Sequence, residues 1–315
     1  MSSVTIRKIA EKTGVSPSTV YRALSGDNSV SVENRRRIIA CAYANHYTLP
    51  GHYCRNIAIL VPHFKFYGYL GSMLAYLEKA LHDKNYRIQL IPESDLAVLG
   101  DHMFDGIITM VWLEGDVLTL PREYDIPIVS LNAAFSALEN ISLVASEKNG
   151  ILKALIYLKQ HGCRRIFFVG TLTDKNPIES ERLECFRQFC SDNSLNFDIM
   201  HRSVCAADVE SVLPNILAAE ADGVFCASET YSFRIGNAMQ KNGIIIPRDI
   251  SLMGLEAEEL NTSFKPAITA IRQDFEKLAE STVKVLTQAI EKHYPVQNIR
   301  VPYTLVERES VKSIF

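Results

Sequence analysis

No run of eighteen consecutive apolar residues occurs in the 315-residue chain, so no segment has the length and apolarity of a membrane-spanning helix. The first residues lack the charged-then-apolar pattern of a secretory signal. The expectation is a cytoplasmic protein with no membrane partner. The seven cysteines, Cys41, Cys54, Cys163, Cys185, Cys190, Cys205 and Cys226, include no CxxC spacing. They sit mostly inside apolar runs and read as reduced core residues rather than a disulfide framework. The eight histidines are scattered without metal-ligand spacing. Missing too are GxGxxG after a strand, GxxxxGK followed by Ser or Thr, HExxH and GxSxG. These absences argue against dinucleotide, P-loop, zinc-protease and serine-hydrolase chemistry. The expectation is no catalysis, no cofactor and no metal.

Net charge is negative over most of the chain and positive at its start. Residues 1–55 hold eight Lys and Arg against Glu11, Asp27 and Glu33, a net +5, so the rest must carry −8 of the total of −3. A basic head on an acidic body fits a chain of which only the head touches a polyanion. With 47% hydrophobic and 22% charged residues, the chain is an ordinary globular one, large enough for two or three cores.

Residues 4–26 read VTIRKIAEKTGVSPSTVYRALSG. Ile6, Ile9 and Ala10 are three and four apart and share one helical face. Gly14 stands where a helix commonly ends in a left-handed residue. Ser16 then offers an oxygen to free N–H groups, and Pro17 lacks the N–H that a first helical turn leaves unpaired. Val20 and Leu24 form the inner face of the second helix, and Ser18, Thr19, Tyr21 and Arg22 lie on or near the other. Two short helices, the second polar and basic outside, make the pattern of a helix-turn-helix DNA reader. A third helix should run from Val32 to about His46, capped by Ser31, with Ile38, Ile39, Ala42 and Tyr43 inward.

This stretch, continuing through Val30–Ile38 to Tyr47, resembles the start of the lactose-repressor/galactose-repressor (LacI/GalR) regulators almost without gaps. The resemblance places Pro17, Ser18 and Arg22 at positions that reach base edges in the major groove. Arg22 is the strongest reader, since a guanidinium bonds O6 and N7 of guanine together, with Tyr21 as its neighbour. Thr5, Ser16, Ser31, Asn34 and Arg35 lie at positions suited to phosphate contacts, which hold register without reading sequence. Arg7 stands where a first-helix residue often approaches the groove, to read a base or a phosphate. The run Arg35–Arg37 also has a plainer reading as a solvated helix face. The chain departs from the family at Tyr47–Arg55. The usual linker carries a hinge helix whose leucine wedges into the minor groove. Here roughly seven or eight residues are missing, Pro50-Gly51 breaks any helix, and Leu49 falls too early to serve.

From Asn56 the pattern alternates. Ile57–Val61 reads as a strand buried on both faces, residues 67–84 as a helix with Leu70, Leu74, Leu77 and Leu81 in a stripe, and Tyr86–Ile91, Phe104–Met110 and Ile126–Leu131 as strands. The alternation restarts with helix Asn149–Lys159, strand Arg165–Gly170, helix Ile178–Asn193, strand Gly223–Ala227, helix Thr230–Asn242 and strand Ile250–Gly254. Such alternation implies parallel sheets with right-handed crossovers, and two sets suggest two similar α/β lobes.

The body also resembles the family, and more loosely its two-lobed sugar-binding relatives, through His161–Ile166, Phe225–Glu229, Ile246–Gly254, Ile268–Phe275 and Val301–Ser310. The resemblance implies an all-α helix-turn-helix head and an α/β two-lobed periplasmic-binding-protein-like effector body. The expected domains are a DNA-binding head at 1–47, a shortened linker at 48–55, and an effector-binding and dimerisation region at 56–315. Its first lobe would be about 56–144 and 272–301, its second about 145–271 and 302–315, with a small molecule between them and chain crossings near 142–147, 270–274 and 301–304. Arg182 matches the effector-clamping arginine, whose fork holds two ligand oxygens. Gln273 and Phe275 match positions near the effector. Ser228 and Glu229 stand where Asn-Asp is common, Glu256 where aspartate is common, and Ser146 replaces a further aspartate. For Glu229 and Glu256 a solvated strand-end carboxylate is the plain alternative, and for Arg182 a helix-surface salt bridge. Tyr69 and Trp112, with Phe64, Phe66 and Tyr67, either stack on a ligand or pack in a core or dimer contact.

The expected function is a sequence-specific transcription regulator, a repressor, acting on double-stranded operator DNA as a homodimer under a sugar-like or other polar effector. No heptad repeat follows Ser310 to build a coiled-coil tetramer. The alternative is the same regulator without a small-molecule effector, controlled by a protein partner or constitutive.

Overall fold

The computed structural model describes residues 5–25, 27, 29–45, 47, 55–66, 68–101, 104–111, 126–132, 141–171, 177–292 and 295–313. The head is three helices, α1 Ile6–Thr13, α2 Pro17–Leu24 and α3 Val32–Ala44. The Thr5 hydroxyl accepts from the Lys8 N–H at the start of α1, and Gly14, at φ +68°, ends it in the left-handed region. Ser16 does the same for α2, accepting from the Thr19 N–H at 3.1 Å. Ile9, Ala10, Val20, Ala23, Leu24, Val30, Ile38, Ile39 and Ala42 close into a small core. Each such side chain removed from water contributes roughly 1.5–3 kcal/mol when large, and less for alanine. The linker 48–54, including Leu49, Pro50 and Gly51, lies outside the described residues, as do Tyr67 and Trp112.

Two six-stranded sheets follow. The first is built from β1 Asn56–Val61, β2 Arg87–Pro92, β3 Gly106–Thr109, β4 Ile128–Leu131 and β5 Ile141–Ser146, with β11 Asn298–Val301 at one edge. The second holds β6 Ile166–Thr171, β7 His201–Val204, β8 Gly223–Cys226, β9 Ser251–Leu255, β10 Thr269–Arg272 and β12 Thr304–Val306. The orders, β11-β5-β4-β3-β1-β2 and β12-β10-β9-β8-β6-β7, repeat one plan. Strands β1, β8 and β9 are buried along nearly their whole length, as parallel strands covered on both faces must be. Among the described residues β12 departs from the expected parallel arrangement: it pairs antiparallel with β10, Ala270 opposite Val306. The stretch Val301–Ser310, which carries part of the family resemblance, is divided at Pro302, between β11 of one sheet and β12 of the other. Proline has no N–H to continue a ladder.

The chain forms two compact units, Met1–Lys65 with Met73–Val144 and Leu278–Ile299, and Phe66–Ser72 with Ala145–Lys277 and Arg300–Phe315. The second has an aromatic centre. Phe168 of β6 stacks on Phe186 of helix Pro177–Asp192 with ring centroids 5.0 Å apart. Four cysteines, Cys163, Cys185, Cys190 and Cys226, are buried, and burial raises their thiol pKa values, to about 11 for Cys185 and Cys190. They are inert core groups at neutral pH. Cys205 instead is exposed and Cys41 half-buried, and Cys54 is outside the described residues. Among the described residues no helix is long and apolar enough to cross a membrane, and no His, Cys, Asp and Glu cluster could hold a metal.

Candidate functional site

The head presents one coherent surface. On α2, Pro17 and Ser18 are exposed at the first turn, Tyr21 is 55% exposed, and Arg22 is exposed with its Nη1 donating to Ser29 Oγ at 3.3 Å. Ser16 Oγ lies 2.8 Å from both Ser18 Oγ and Thr19 Oγ1, so the first turn is knit by hydroxyls. Thr5 and Arg7 are exposed on and before α1. Ser31 Oγ accepts from the Asn34 N–H at 3.4 Å, Arg37 Nη1 donates to Asn34 Oδ1, and the Arg35 guanidinium donates to the Asp27 carbonyl. The arginine run is not the uniform solvated face of the plainer reading. Arg36 is 6% exposed and its Nη2 donates to the Leu99 carbonyl at 2.8 Å, while Arg37 Nη2 donates to the Thr13 carbonyl.

In the second unit a group of side chains converges on Arg182. Helix Pro177–Asp192 carries both Glu179 and Arg182 on one face, three residues apart. Nη1 of Arg182 donates to Glu179 Oε1 at 2.8 Å and to the Ala227 carbonyl at 3.1 Å; Nη2 donates to Tyr303 Oη at 3.2 Å. Arg182 is 7% exposed, and its buried Nε has no hydrogen-bond partner among the described residues. Burial works against its charge, but Tyr303, Glu179 and Glu229 together hold the guanidinium protonated above its usual range. Tyr303 reaches this place because Gly150 stands opposite it; a Cβ there would lie 1.9 Å from the ring.

Glu229 follows β8 and is half-buried. Its Oε2 accepts the Tyr69 N–H at 2.6 Å, at the start of helix Gly68–His82. Free N–H groups and the dipole both favour a carboxylate at a helix start. Gly68, at φ +56°, leaves the room: a Cβ would sit 2.4 Å from Oε2. Burial nevertheless pushes the Glu229 carboxyl up, to about 7, against the Tyr69 bond and Arg182. Burial raises Glu179 as well, opposed by Arg182. The Tyr69 ring meets Phe275 edge-on at 5.8 Å, and Gln273, buried, accepts from Ser146 Oγ at 3.3 Å.

Of the residues expected at an effector site, Arg182, Glu229, Tyr69 and Phe275 are therefore linked by contacts, Ser228 precedes Glu229 and is half-buried, and Gln273 lies two residues before Phe275. Glu256 does not join them. It is 8% exposed and both oxygens are held by Arg308, at 2.6 and 3.0 Å. Neither is it the solvated carboxylate of the plain alternative. Sequence reasoning missed Glu179, Tyr303 and Arg308. Only Glu179 left a trace, as a carboxylate one turn from Arg182.

A capped two-helix reader with a polar, basic outer face, followed in the chain by two six-stranded α/β sheets, defines a DNA-binding regulator with a periplasmic-binding-protein-like body. The family description "Bacterial regulatory proteins, lacI family" matches residues 5–48, and "Periplasmic binding protein-like domain" matches residues 155–311. The chain is a member of the LacI family of transcription regulators. It is 25% identical to the ribose operon repressor of Halalkalibacterium halodurans, over 98% of this chain and 97% of that one. Among solved structures it resembles a LacI family regulator from Enterococcus faecium with bound ribose, with TM-score 0.74, 20% identity, and 83% and 100% of the two chains covered. It also resembles the lac repressor dimer bound to operator and an anti-inducer, with TM-score 0.71, 17% identity, and 99% and 100% covered. The family consists of regulators rather than enzymes.

Proposed function

We propose that the protein is a cytoplasmic, homodimeric repressor that sets two copies of α2 on a near-palindromic operator, under the control of a small polar molecule. Residues 1–47 are its DNA-binding part, 48–55 its linker, and 56–315 its effector-binding and dimerisation part. The observation that carries this reading is the hydroxyl-capped α2 with Tyr21 and Arg22 turned outward. One such head makes too few contacts for specific affinity, so two are needed. Direct reading falls to Arg22 with Tyr21, Pro17 and Ser18, and phosphate contacts to Thr5, Ser16, Ser31, Asn34 and Arg35, with Arg7 beside them.

The effector is a sugar-like molecule held by Arg182, Glu229, Tyr69, Gln273 and Phe275. The Arg182 Nε, which has no acceptor among the described residues, supports this, because a buried N–H without an acceptor is costly, and so does the ribose bound to the Enterococcus faecium relative. A ligand that binds one conformation better shifts the equilibrium by that difference, and with it DNA affinity. The engagement of Glu256 by Arg308 favours one second reading, a regulator without an effector.

Selection of bound fragments from random DNA tests the proposal. A two-fold motif is the expected result; recovery of no motif, with binding that only fades as salt rises, would overturn it. A thermal-shift screen of sugars and nucleobases separates the two effector readings, since a ligand of the native state raises Tm.

A further inference from the structure

A buried arginine that reaches a ligand is ordinarily a site for carboxylate or phosphate, which its fork grips at two oxygens. The charges around Arg182 work against that here. Both N–H groups of Nη1 are taken, by Glu179 at 2.8 Å and by a carbonyl, and one of Nη2 by Tyr303. The Glu179 side chain is itself largely buried, so its charge meets Arg182 with little water between. Glu229 adds a second carboxyl close enough to act on the same guanidinium. With Glu179 ionised against Arg182, one cation and two carboxyls give a local charge of zero when Glu229 is protonated and −1 when it is ionised. An incoming anion would meet two carboxyls in a place of low polarisability. There like-charge repulsion opposes the return from further hydrogen bonds. The N–H groups of Arg182 without a described partner, on Nε and one on Nη2, need acceptors that a hydroxyl supplies without a charge. Tyr69 and Phe275 supply an aromatic wall.

We infer that Glu179 sets the charge class of the molecule taken here: the group around Arg182 accepts an uncharged, hydroxyl-bearing ligand and turns away phosphorylated or carboxylate-bearing ones. The inference rests on the effector reading proposed above. Glu179 acts through Arg182 and is a positioning and charge-setting residue, one that need not touch the ligand.

Inorganic phosphate is the probe that isolates the charge, tested on the full chain against chloride at equal ionic strength. Only the part of any Tm rise that Arg182→Gln removes counts, which subtracts phosphate held by the basic head. Wild type and Glu179→Asp, which keeps the charge, should show no such rise. Glu179→Gln should gain about 3–6 °C at tenfold excess over its Kd, and the double variant with Arg182→Gln should lose that gain. A merely structural Glu179 would not create an anion site. An Arg182-dependent rise in the wild type, or none in Glu179→Gln, overturns the inference. Should Glu179→Gln fail to fold, the wild-type arm decides: a rise overturns, and no rise supports. A second arm compares D-ribose and D-glucose with their phosphates on the wild type. Stabilisation by the free sugars alone supports the inference, and stabilisation by a phosphorylated one overturns it. If neither sugar stabilises while the phosphate arm behaves as expected, it is the effector reading that fails, and the charge assignment stands.

Discussion

Glu229 and Glu179 are two carboxyls that burial pushes upward, Glu229 to about 7. A carboxyl with a raised pKa keeps its proton in the folded state after the unfolded chain has lost it. Stability therefore falls as pH climbs from the ordinary carboxylate range, near 4.5, to about 7, and levels off above. Glu229→Gln keeps an acceptor for the Tyr69 N–H and removes the titration. Its Tm should fall less steeply than that of the wild type between pH 5 and 8, with the residual slope from Glu179; parallel curves would mean that Glu229 is not buried in its charged form. Arg22 belongs at the same scale. Arg22→Ala should cost about 1–3 kcal/mol on the selected operator and relax preference at one base position. Competition binding checks this, and equal loss on random DNA would remove Arg22 from base reading. Of the residues around Arg182, Glu179 was visible in the sequence but not distinctive. A Glu–Arg pair three apart on a helix is usually a solvated pair worth a few tenths of a kcal/mol. Burial changes its meaning, and burial is set by elements far away, Tyr303 among them. The locking of Glu256 by Arg308, 52 residues on, had no local signal at all.

At the scale of elements, the head was the most legible part because its stops and starts are chemical. Gly14 ends α1 with a positive φ, and Ser16 opens α2 with an oxygen on the Thr19 N–H. Ser16→Ala removes the only described side-chain cap of an eight-residue helix. It should destabilise the head by about 0.5–2 kcal/mol, and it also frees the Ser18 and Thr19 hydroxyls that meet Ser16. Hydrogen exchange over residues 16–25 checks it: protection should drop there while that of β8 and β9 stays unchanged. The buried strands β1, β3, β4, β6, β8 and β9 were legible as short apolar runs, and so was the edge strand β2; the interior strands β5 and β10 were not. Nor were the edges β7 and β11. His201–Val204 is short and polar, and Asn298–Val301 carries Arg300, because an edge strand is covered on fewer sides and need not be apolar. The helix Phe275–Lys292 has a marked apolar face, yet it follows a segment, Ile268–Phe275, read only for its family resemblance, and escaped notice.

At the scale of the whole molecule, charge decides which part can lie on DNA. The +5 of residues 1–55 faces −8 in the remainder, so the body adds no phosphate contacts and repels the duplex at long range. Within the head the structure narrows the set further. Arg36 is buried against the Leu99 carbonyl, Arg37 holds the Thr13 carbonyl, and Lys12 holds Asn45. Arg55 pairs with Glu291 at 3.2 Å. Arg7, Lys8 and Arg22 are exposed, and Arg35, half-buried on the Asp27 carbonyl, is the member of the arginine run proposed above for phosphate. Two heads then neutralise at most about eight phosphates, and log K should fall with log salt concentration at a slope no steeper than about −7. Fluorescence anisotropy on the selected operator across salt concentrations measures it. Arg35→Gln should make the slope shallower by about 2, one contact from each head. Arg36→Gln should leave the slope of the folded protein unchanged and appear instead as lower stability, because its cation already serves the fold. A slope well beyond −7, or one that responds to Arg36 as strongly as to Arg35, would mean that the head leaves the Leu99 carbonyl when it meets DNA and offers the whole arginine run to the backbone.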